Sequence, residues 1–341
     1  MRRTTLTLAG MLLLAACGGS GSQPSNTPAQ TAPLKISIPV SQTGFAQSDL
    51  AVARDQAFFK EQGLDVSFQN LGSGVKAVQS VLAGDSDLGG SSIEPVMAAA
   101  ARGGLTIIGS YSDRLTVVME TPSAIAAPAA LKSKKLGIQD VGAFREVMTR
   151  AVYELAGLKQ SDIQYVSVAD TGYISALLAH KIDSAILQQE QSVEAEQKDA
   201  SLHVLADLYK TWPDYYYGTY FVRTDWLKAH RDLAVRFLTA ITRAHRFMYS
   251  NRAKTVAIVS KATGFSEQVI DTAYQRLMIT DGVFPVNEGL GQSRLEFTLA
   301  KMKEIGLLNA GIPDLNKVVD RGPIREVVQK LGVMKGDSRW H

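Results

Sequence analysis

Short apolar runs and helical patterns alternate along the chain from Leu34 onward. Residues 34–40 (LKISIPV), 64–68 (LDVSF) and 105–110 (LTIIGS) are apolar or alternate apolar with polar positions, which predicts strands. Residues 50–63 place apolar side chains on one helical face and end in glycine, which predicts one continuous helix. This order of strands and helices predicts a mostly parallel sheet flanked by helices.

A further helix is predicted in the stretch SSIEPVMAAAARGG. Ser91 and Glu94 have the spacing of a capping box, in which a serine and a glutamate three residues later satisfy the first amides of a helix. Pro95 lies early enough in that helix to be tolerated. The helix is therefore expected to begin at Ser91.

The same order of elements begins again near Leu131. The helix-to-strand turns of the two runs match, since LAGDSD at 82–87 is echoed by LAHKID at 178–183. The pattern therefore predicts two α/β lobes of the same type, followed after Phe221 by a largely helical C-terminal region. The strands of the second run are predicted at residues 135–140, 163–168 and 182–187.

The composition is that of a globular chain. Of the 341 residues, 45% are hydrophobic and 20% are charged, which is enough apolar material for two medium-sized lobes or one large domain. The formal net charge is +3, so the sequence has no dominating basic face and nucleic-acid binding is not expected.

The N-terminus has the features of an export signal. Arg2 and Arg3 precede an uncharged, mostly apolar run from Leu6 to Ala16. That run is too short to span a bilayer core of about 30 Å as a permanent helix. It leads into LAAC at residues 14–17, and this resembles the lipobox of bacterial lipoproteins.

In the lipoprotein class the cysteine thiol is acylated and the chain is cut just before it. The resemblance therefore implies a signal peptide at 1–16, lipidation of Cys17 and an uncharged flexible tether at 17–33. Cys17 is the sole cysteine of the chain, so no disulfide competes for it. An ordinary signal peptide with a chance cysteine is the alternative. We expect an exported protein, anchored to the periplasmic or extracellular face of the cell membrane by lipid alone.

Signatures of catalysis and of metal or cofactor binding are poor in the sequence. The five histidines include no pair four residues apart and no HExxH motif. The motifs GxSxG, GxxxxGK[ST] and a strand-to-helix GxGxxG are missing. We therefore predict a protein without a metal or cofactor that is not an enzyme.

Polar, glycine-containing loops follow several predicted strands and lead into helices. In α/β sheets small ligands bind beyond the carboxyl ends of strands, where helix N-termini and free amides converge. A plain turn is the alternative for each loop taken alone, but together the loops favour a ligand held in a cleft between lobes. They are residues 41–48, 71–75, 89–94, 140–146 and 170–175.

Residues 34–92 resemble the first lobe of ABC-transporter substrate-binding proteins, in the class for nitrate, sulfonates and thiamine precursors. The resemblance rests on AxxxxFFKExGLDV at 53–66, the Gly-Ser-Gly turn at 72–74 and VLAGDSDLG at 81–89. With LKSKKLGIQDVGAF and YFVRTDWLKAH further along, the likeness covers about residues 34–260. One departure is Ala57, where the family usually has glycine; in a helix interior alanine is expected to cost nothing.

The resemblance implies two lobes joined by two crossovers, with the ligand enclosed by hinge motion. It assigns residues 34–118 to the first part of lobe 1, 119–216 to lobe 2, and 217–341 to the return to lobe 1 plus the C-terminal helices. It also implies a monomer that delivers its ligand to the transmembrane subunits of an ABC permease, which work with a cytoplasmic ATPase.

Aromatic residues near the expected cleft favour a planar ligand. Five of the eleven tyrosines fall between Tyr209 and Tyr220, and the resemblance places this segment at the second crossover. Rings there would stack on a vitamin precursor or flavin, each contact contributing about 0.5–1.5 kcal/mol beyond burial. One face of a buried strand is the alternative for these tyrosines. Arg145 could instead hold an anion, so an aliphatic sulfonate or a nitrate-like anion is the second ligand class.

The candidate ligand contacts combine rings with hydrogen-bonding side chains that would read a ring edge. A pyrimidine-precursor-synthase-like enzyme is the alternative of another class, but those relatives carry a cysteine-rich metal motif and an essential histidine, which these cleft loops lack. A sensor domain acting through a partner is a third alternative. The predicted ligand-binding residues are Gln42, Thr43, Phe45, Ser73, Ser91, Ser92, Tyr111, Phe144, Arg145, Thr171, Tyr173, Gln188, Trp212, Tyr215, Tyr216 and Tyr217.

Overall fold

The structure, a computed structural model, describes residues 34–41, 44–338 and 340. Within these residues the chain forms two five-stranded sheets with helices packed on them. The predicted signal peptide, tether and lipidation site Cys17 lie outside the described residues, as do the predicted ligand contacts Gln42 and Thr43.

The strands divide between the two sheets as two blocks. The first sheet contains β1 (Leu34–Val40), β2 (Leu64–Asn70), β3 (Leu88–Ser92), β4 (Leu105–Ser112) and β10 (Gly218–Arg223). The second sheet contains β5 (Val117–Pro122), β6 (Lys135–Ile138), β7 (Gln164–Ser167), β8 (Ser184–Gln188) and β9 (Leu202–Asp207).

Each sheet is mixed in the same way. The strand orders are β2-β1-β3-β10-β4 and β7-β6-β8-β5-β9. In the first sheet only β10 is antiparallel to its neighbours, and in the second only β5 is, so four of the five described strands in each sheet run in one direction. The predicted α/β fold with two mostly parallel sheets is confirmed.

Helices cover the sheets and form most of the chain after Arg223, as predicted. They are α1 (Asp49–Asp55), α2 (Phe58–Glu61), α3 (Gly74–Ala83), α4 (Ile93–Ala100), α5 (Phe144–Leu155), α6 (Tyr173–Leu178), α7 (Gln189–Lys198), α8 (Leu208–Thr211), α9 (Thr224–Ala229), α10 (Arg231–Ser250), α11 (Arg252–Thr263), α12 (Glu267–Tyr274), α13 (Gln292–Glu304), α14 (Leu315–Val318) and α15 (Gly322–Leu331). Short 3-10 turns cover Phe45–Gln47, Pro128–Leu131, Gln160–Asp162 and Asp170–Gly172, and a π-helical segment covers Gln275–Thr280.

The chain passes between the sheets twice. It leaves the first sheet after Ser112 and enters the second at Val117, then leaves the second after Asp207 and returns at Gly218. We refer to the parts built on the first and second sheets as lobe 1 and lobe 2. The predicted lobe boundaries, 118/119 and 216/217, stay a prediction.

The echo between LAGDSD and LAHKID corresponds to the same structural device in both lobes. The Asp87 carboxylate accepts the backbone N–H of Ser37 on β1 at 3.0 Å, and Asp183 accepts that of Lys135 on β6 at 2.8 Å. In return, each aspartate donates its own N–H to the carbonyl of the same strand residue. The aspartate therefore fixes where the strand that follows it, β3 or β8, begins to pair with β1 or β6.

Two local predictions are wrong. The helix expected over 50–63 is interrupted, because Ala57 adopts φ 58°, a left-handed conformation, between α1 and α2. The left-handed conformation is the one that favours glycine, so alanine at this position carries strain instead of costing nothing. The capping box is also absent: Ser91 lies within β3, the helix begins at Ile93, and Glu94 accepts a hydrogen bond from the Tyr215 hydroxyl.

Candidate functional site

The carboxyl ends of strands from both lobes meet in one contact region, which we call the seam. In lobe 1 it consists of the loops that follow β1 and β2 and of the junction between β3 and α4. In lobe 2 it consists of the loops that follow β6 and β7 and of the junction between β8 and α7. The backbone N–H of Phe45 donates to Glu190 Oε1 at 3.0 Å, and Gln139 Nε2 donates to the carbonyl of Gly72 at 3.3 Å. Strand carboxyl ends are where α/β sheets hold ligands, so the seam is the candidate binding site.

The lobe 1 side of the seam carries buried polar groups that have no hydrogen-bond partner among the described residues. They are the amide oxygen and nitrogen of Gln47 and the hydroxyls of Ser73 and Ser91. Leaving such a group unpaired in the interior costs about 1–3 kcal/mol. These three side chains can therefore gain stabilisation from a ligand that pairs with them.

Two glycines join these polar side chains into one surface. A Cβ on Gly90 would stand 2.2 Å from Gln47 Nε2, and a Cβ on Gly74 would stand 2.3 Å from Ser91 Oγ. Non-bonded heavy atoms pack at separations of about 3.5–4.0 Å. Both distances are far shorter, so neither glycine has room for a side chain. Glycine at 74 and 90 thus allows the loops after β1, β2 and β3 to converge.

Glu190 is the carboxylate that lobe 2 contributes to the seam. It lies in the first turn of α7, directly after β8, and is 1% exposed. Oε1 accepts the N–H of Phe45, whereas Oε2 has no partner among the described residues. Burial raises the pKa of the Glu190 carboxyl, although backbone hydrogen bonds and the nearby Arg145 oppose the rise.

Arg145 is engaged by groups of lobe 2 itself. Its guanidinium donates to the carbonyl of Ile186 and, at 3.0 Å, to Gln191 Oε1. It also pairs with Asp170 at 3.4 Å and lies 4.2 Å above the centre of the Tyr173 ring. These contacts compensate the arginine charge within the lobe, and they give no support to Arg145 as the holder of an anionic ligand.

Tyr217 is the member of the aromatic segment that reaches lobe 2. Its ring centre lies 4.4 Å from that of Phe144, at the start of α5, and 5.6 Å from that of Tyr111. Its hydroxyl accepts a hydrogen bond from Gln188 Nε2 at 3.0 Å, and Gln188 Oε1 accepts one from the Thr116 hydroxyl at 2.8 Å. Tyr217 and Phe144 therefore form an aromatic wall beside the seam.

The rest of the aromatic segment is built into the core of lobe 1. Trp212 stacks on Tyr215 with ring centres 5.3 Å apart, and the Tyr215 hydroxyl donates to Glu94 Oε1 at 2.7 Å. The backbone N–H of Tyr216 donates to the Thr298 hydroxyl at 2.7 Å. Burial raises the pKa of Glu94 from 4.5 to about 7, although the Tyr215 hydrogen bond lowers it. These contacts favour the core interpretation for Trp212, Tyr215 and Tyr216.

The structure brings part of the predicted set together. Tyr111 packs behind Tyr217, and Ser92 is the N-cap of α4. Thr171 lies at the outer edge of the seam, where it lines a cavity of about 220 Å³ together with residues 263–265 of lobe 1. The predicted contacts that lie at the seam or on its wall are Phe45, Ser73, Ser91, Phe144, Gln188 and Tyr217.

Sequence reasoning missed Gln47 and Glu190. Gln47 falls inside the predicted cleft loop 41–48, but a glutamine there carries no motif. Glu190 directly follows the predicted strand 182–187, and its place after a strand end was the available signal. That the Glu190 carboxylate is buried against Phe45 becomes visible in the structure, where the two lobes are in contact.

Comparison with known proteins identifies relatives over most of the chain. Residues 46–255, more than half of the chain, match the family model described as NMT1/THI5 like. A protein of Bacillus subtilis (strain 168) named as a binding protein, YtlA, is 23% identical over 290 residues, which cover 83% of this chain and 85% of YtlA.

Solved structures share the fold at low sequence identity. The periplasmic nitrate-binding protein NrtA from Synechocystis PCC 6803 has a TM-score of 0.75 and 13% identity, over 91% of this chain and 92% of NrtA. The alkanesulfonate-binding protein SsuA from Xanthomonas axonopodis pv. citri has a TM-score of 0.65 and 16% identity, over 86% and 98%. The desulfurization enzyme DSZB also matches, with a TM-score of 0.64 and 12% identity over 87% of this chain and 99% of DSZB, so the fold includes an enzyme.

Proposed function

The chain belongs to the NMT1/THI5-like family, and from this premise we propose that it is an extracytoplasmic solute-binding protein of an ABC importer. In this proposal the two lobes close over a small solute at the seam and deliver it to a membrane permease coupled to a cytoplasmic ATPase. The observation that carries the proposal is the seam itself, where strand ends of two sheets converge on buried, unpaired polar side chains.

The proposal includes a lipid anchor. Support comes from the lipobox-like LAAC sequence, and acylation of Cys17 would hold a monomeric binding protein beside its permease. Among the described residues, no helix is both long and apolar enough to cross a membrane. Mass spectrometry of the processed chain should find a diacylglyceryl modification on Cys17, and its absence there would contradict this part.

We favour a planar heterocyclic or aromatic solute, such as a vitamin precursor or a flavin. Phe144 and Tyr217 offer ring faces beside the seam, and Gln47, Ser73 and Ser91 offer hydrogen-bonding groups for a ring edge. An aliphatic sulfonate or nitrate-like anion is the second class, but Arg145, its predicted partner, is already paired with Asp170.

A ligand screen tests this proposal. The purified protein is tested by thermal shift against vitamins, nucleobases, flavins, alkanesulfonates and nitrate, and mass spectrometry identifies any solute that it retains from its host. We expect a planar solute to raise the melting temperature. A shift with only alkanesulfonates or nitrate would contradict the planar class, and no binding of any small solute would contradict the binding function.

Two substitutions in the aromatic segment then test whether Tyr217 contacts the solute while Tyr216 only packs the core of lobe 1. Tyr217→Leu removes a ring that contacts Phe144, and we expect it to weaken binding of the planar solute by about three- to tenfold. Tyr216→Leu is the matched control and should lower the melting temperature while the affinity stays within about twofold. Equal losses of affinity in both variants, measured by calorimetry, would overturn this assignment.

A further inference from the structure

We propose that the seam selects solutes that present a positively charged or multiply N–H-donating group, such as an amidinium, and that Glu190 is the residue that recognises this group. The inference rests on the proposed solute-binding function and names the chemistry of the ligand. It concerns a carboxylate for which the predicted set of contacts had no role.

The first argument is the unfinished hydrogen bonding of Glu190. The carboxylate is buried, one oxygen accepts the N–H of Phe45, and the other has no partner among the described residues. An ionised carboxylate can accept about four hydrogen bonds and cannot donate. A ligand that completes this set must bring N–H or O–H donors, and a positively charged donor forms the stronger bond.

The second argument is the balance of charge around the seam. The cation whose charge acts on Glu190 is Arg145, which is paired with Asp170 and covered by the Tyr173 ring. Arg145 therefore already has a carboxylate of its own, and Glu190 has no ion-pair partner among the described residues.

The third argument is the neighbouring polar surface. Gly44 has no room for a side chain, since its Cβ would lie 2.6 Å from Glu190 Oε1. The carbonyl of Gly44 accepts the N–H of Gln47, whose side-chain amide is unpaired and can supply a carbonyl acceptor. Gln47 therefore provides a second acceptor from the loop whose backbone contacts Glu190, an arrangement suited to an amidinium or an aminated ring edge.

The same surroundings disfavour anions. A nitrate or sulfonate placed against the ionised form of Glu190 would meet a like charge in a buried site, and neither anion brings the N–H donors that the free Glu190 oxygen lacks. NrtA and SsuA share this fold and are named for anions, so the fold itself does not set the sign of the charge. In this chain the side chain at position 190 would set it.

A charge series on one planar scaffold tests the inference. Benzamidinium, benzamide and benzoate have similar shapes and carry positive, zero and negative charge. Isothermal titration of the full-length protein should show that benzamidinium binds at least tenfold more tightly than benzamide, with benzoate the weakest. Glu190→Gln should weaken benzamidinium binding by at least tenfold and change benzamide binding by no more than about threefold.

The matched control is Glu196→Gln, which removes an exposed carboxylate from the same helix and should leave all three affinities unchanged. Benzoate binding as tightly as benzamidinium, an unchanged benzamidinium affinity in Glu190→Gln, or binding of none of the three probes would each overturn the inference. If Glu190→Gln does not fold, the order of the three affinities in the unmodified protein decides alone. An anionic solute found in the ligand screen would overturn this inference and leave the binding function standing.

Discussion

Glu94 is a buried acid that the fold keeps protonated close to neutral pH. It is 1% exposed, and its carboxylate accepts hydrogen bonds from the side chains of Tyr215 and Ser92. Burial disfavours the charged carboxylate more than these hydrogen bonds favour it, which raises the pKa of Glu94 from 4.5 to about 7. The segment that carries Tyr215 is thus tied to α4 through an acid whose charge state changes near physiological pH.

The Glu94→Gln variant should change how stability depends on pH. As the pH rises from 4.5 to about 7, the unfolded chain releases a proton that the folded chain retains, so the free energy of unfolding falls over this window. Glutamine cannot titrate and removes this fall. The variant should therefore gain on the order of 3 kcal/mol relative to the unmodified protein between pH 4.5 and pH 8.

Urea unfolding at both pH values measures this difference. Glu296→Gln, at an exposed position on α13, is the control and should give a profile parallel to that of the unmodified protein. A parallel profile for Glu94→Gln as well would show that the carboxyl is already ionised in the folded protein.

At the scale of elements, Ala57 shows how one backbone position breaks a helix that the periodicity predicts as continuous. α1 ends at Asp55, α2 begins at Phe58, and Ala57 between them has φ 58°. A left-handed conformation costs an L-residue with a Cβ roughly 1–2 kcal/mol. Ala57→Gly should therefore raise the free energy of unfolding by about 1 kcal/mol, because part of the relief is lost to the greater flexibility of glycine in the unfolded chain.

Chemical denaturation checks this, with Ala53→Gly as the counterpart. Ala53 lies inside α1 and is fully buried, so glycine there should destabilise the protein by about 1 kcal/mol or more. Opposite signs for the two alanine-to-glycine changes are the expected result. A loss of stability in both would mean that residue 57 is helical in solution.

The elements found from sequence are those whose apolar pattern is clear without knowledge of the partner. β1 is predicted to the residue, and β4 differs from its prediction only by two residues at its end. β3, in contrast, has the sequence LGGSS, which reads as a turn. It is a strand in which the Phe221 ring packs on Gly89 and Gln47 packs on Gly90, where a side chain would not fit. Both partners are distant in sequence, so the local pattern could not predict these contacts.

In the candidate site, too, the features that depend on distant contacts could not be predicted from the sequence. The loops after β1 and β2 could be placed from the order of elements, and Ser73 came with them, whereas the predicted loop 89–94 is β3 and the start of α4. The division of the aromatic segment could not be predicted, because Tyr216 and Tyr217 are adjacent in sequence and differ only in which elements pack on them. Glu190 was missed for a similar reason, since the contact that buries it joins residues 145 positions apart.

At the scale of the whole molecule, both crossovers are linked through one side chain of lobe 2. Gln188, at the end of β8, accepts a hydrogen bond from Thr116 in the first crossover and donates one to Tyr217 in the second. The three residues are 1–2% exposed, so solvent does not compete for these bonds. If the lobes move about the crossovers, Gln188 positions both hinges relative to the sheet of lobe 2.

We therefore expect Gln188→Leu to loosen the hinge. Leucine keeps most of the volume but leaves the Thr116 and Tyr217 hydroxyls without this partner, which costs about 1–3 kcal/mol for each buried group that stays unpaired. Backbone amides of residues 113–116 and 212–217 should exchange hydrogen faster, and small-angle scattering should show a larger radius of gyration. In the proposed function the solute binds to the closed form, so its apparent affinity should fall in proportion to the closed fraction.

The control is Gln164→Leu, an exposed position on the edge strand β7. It should leave exchange, scattering and affinity as they are. A Gln188→Leu protein with a lower melting temperature but unchanged exchange in both crossovers would mean that the residue only packs the core. Faster exchange confined to the crossovers, together with weaker binding, would instead make the hydrogen bonds of Gln188 the link through which lobe 2 controls closure.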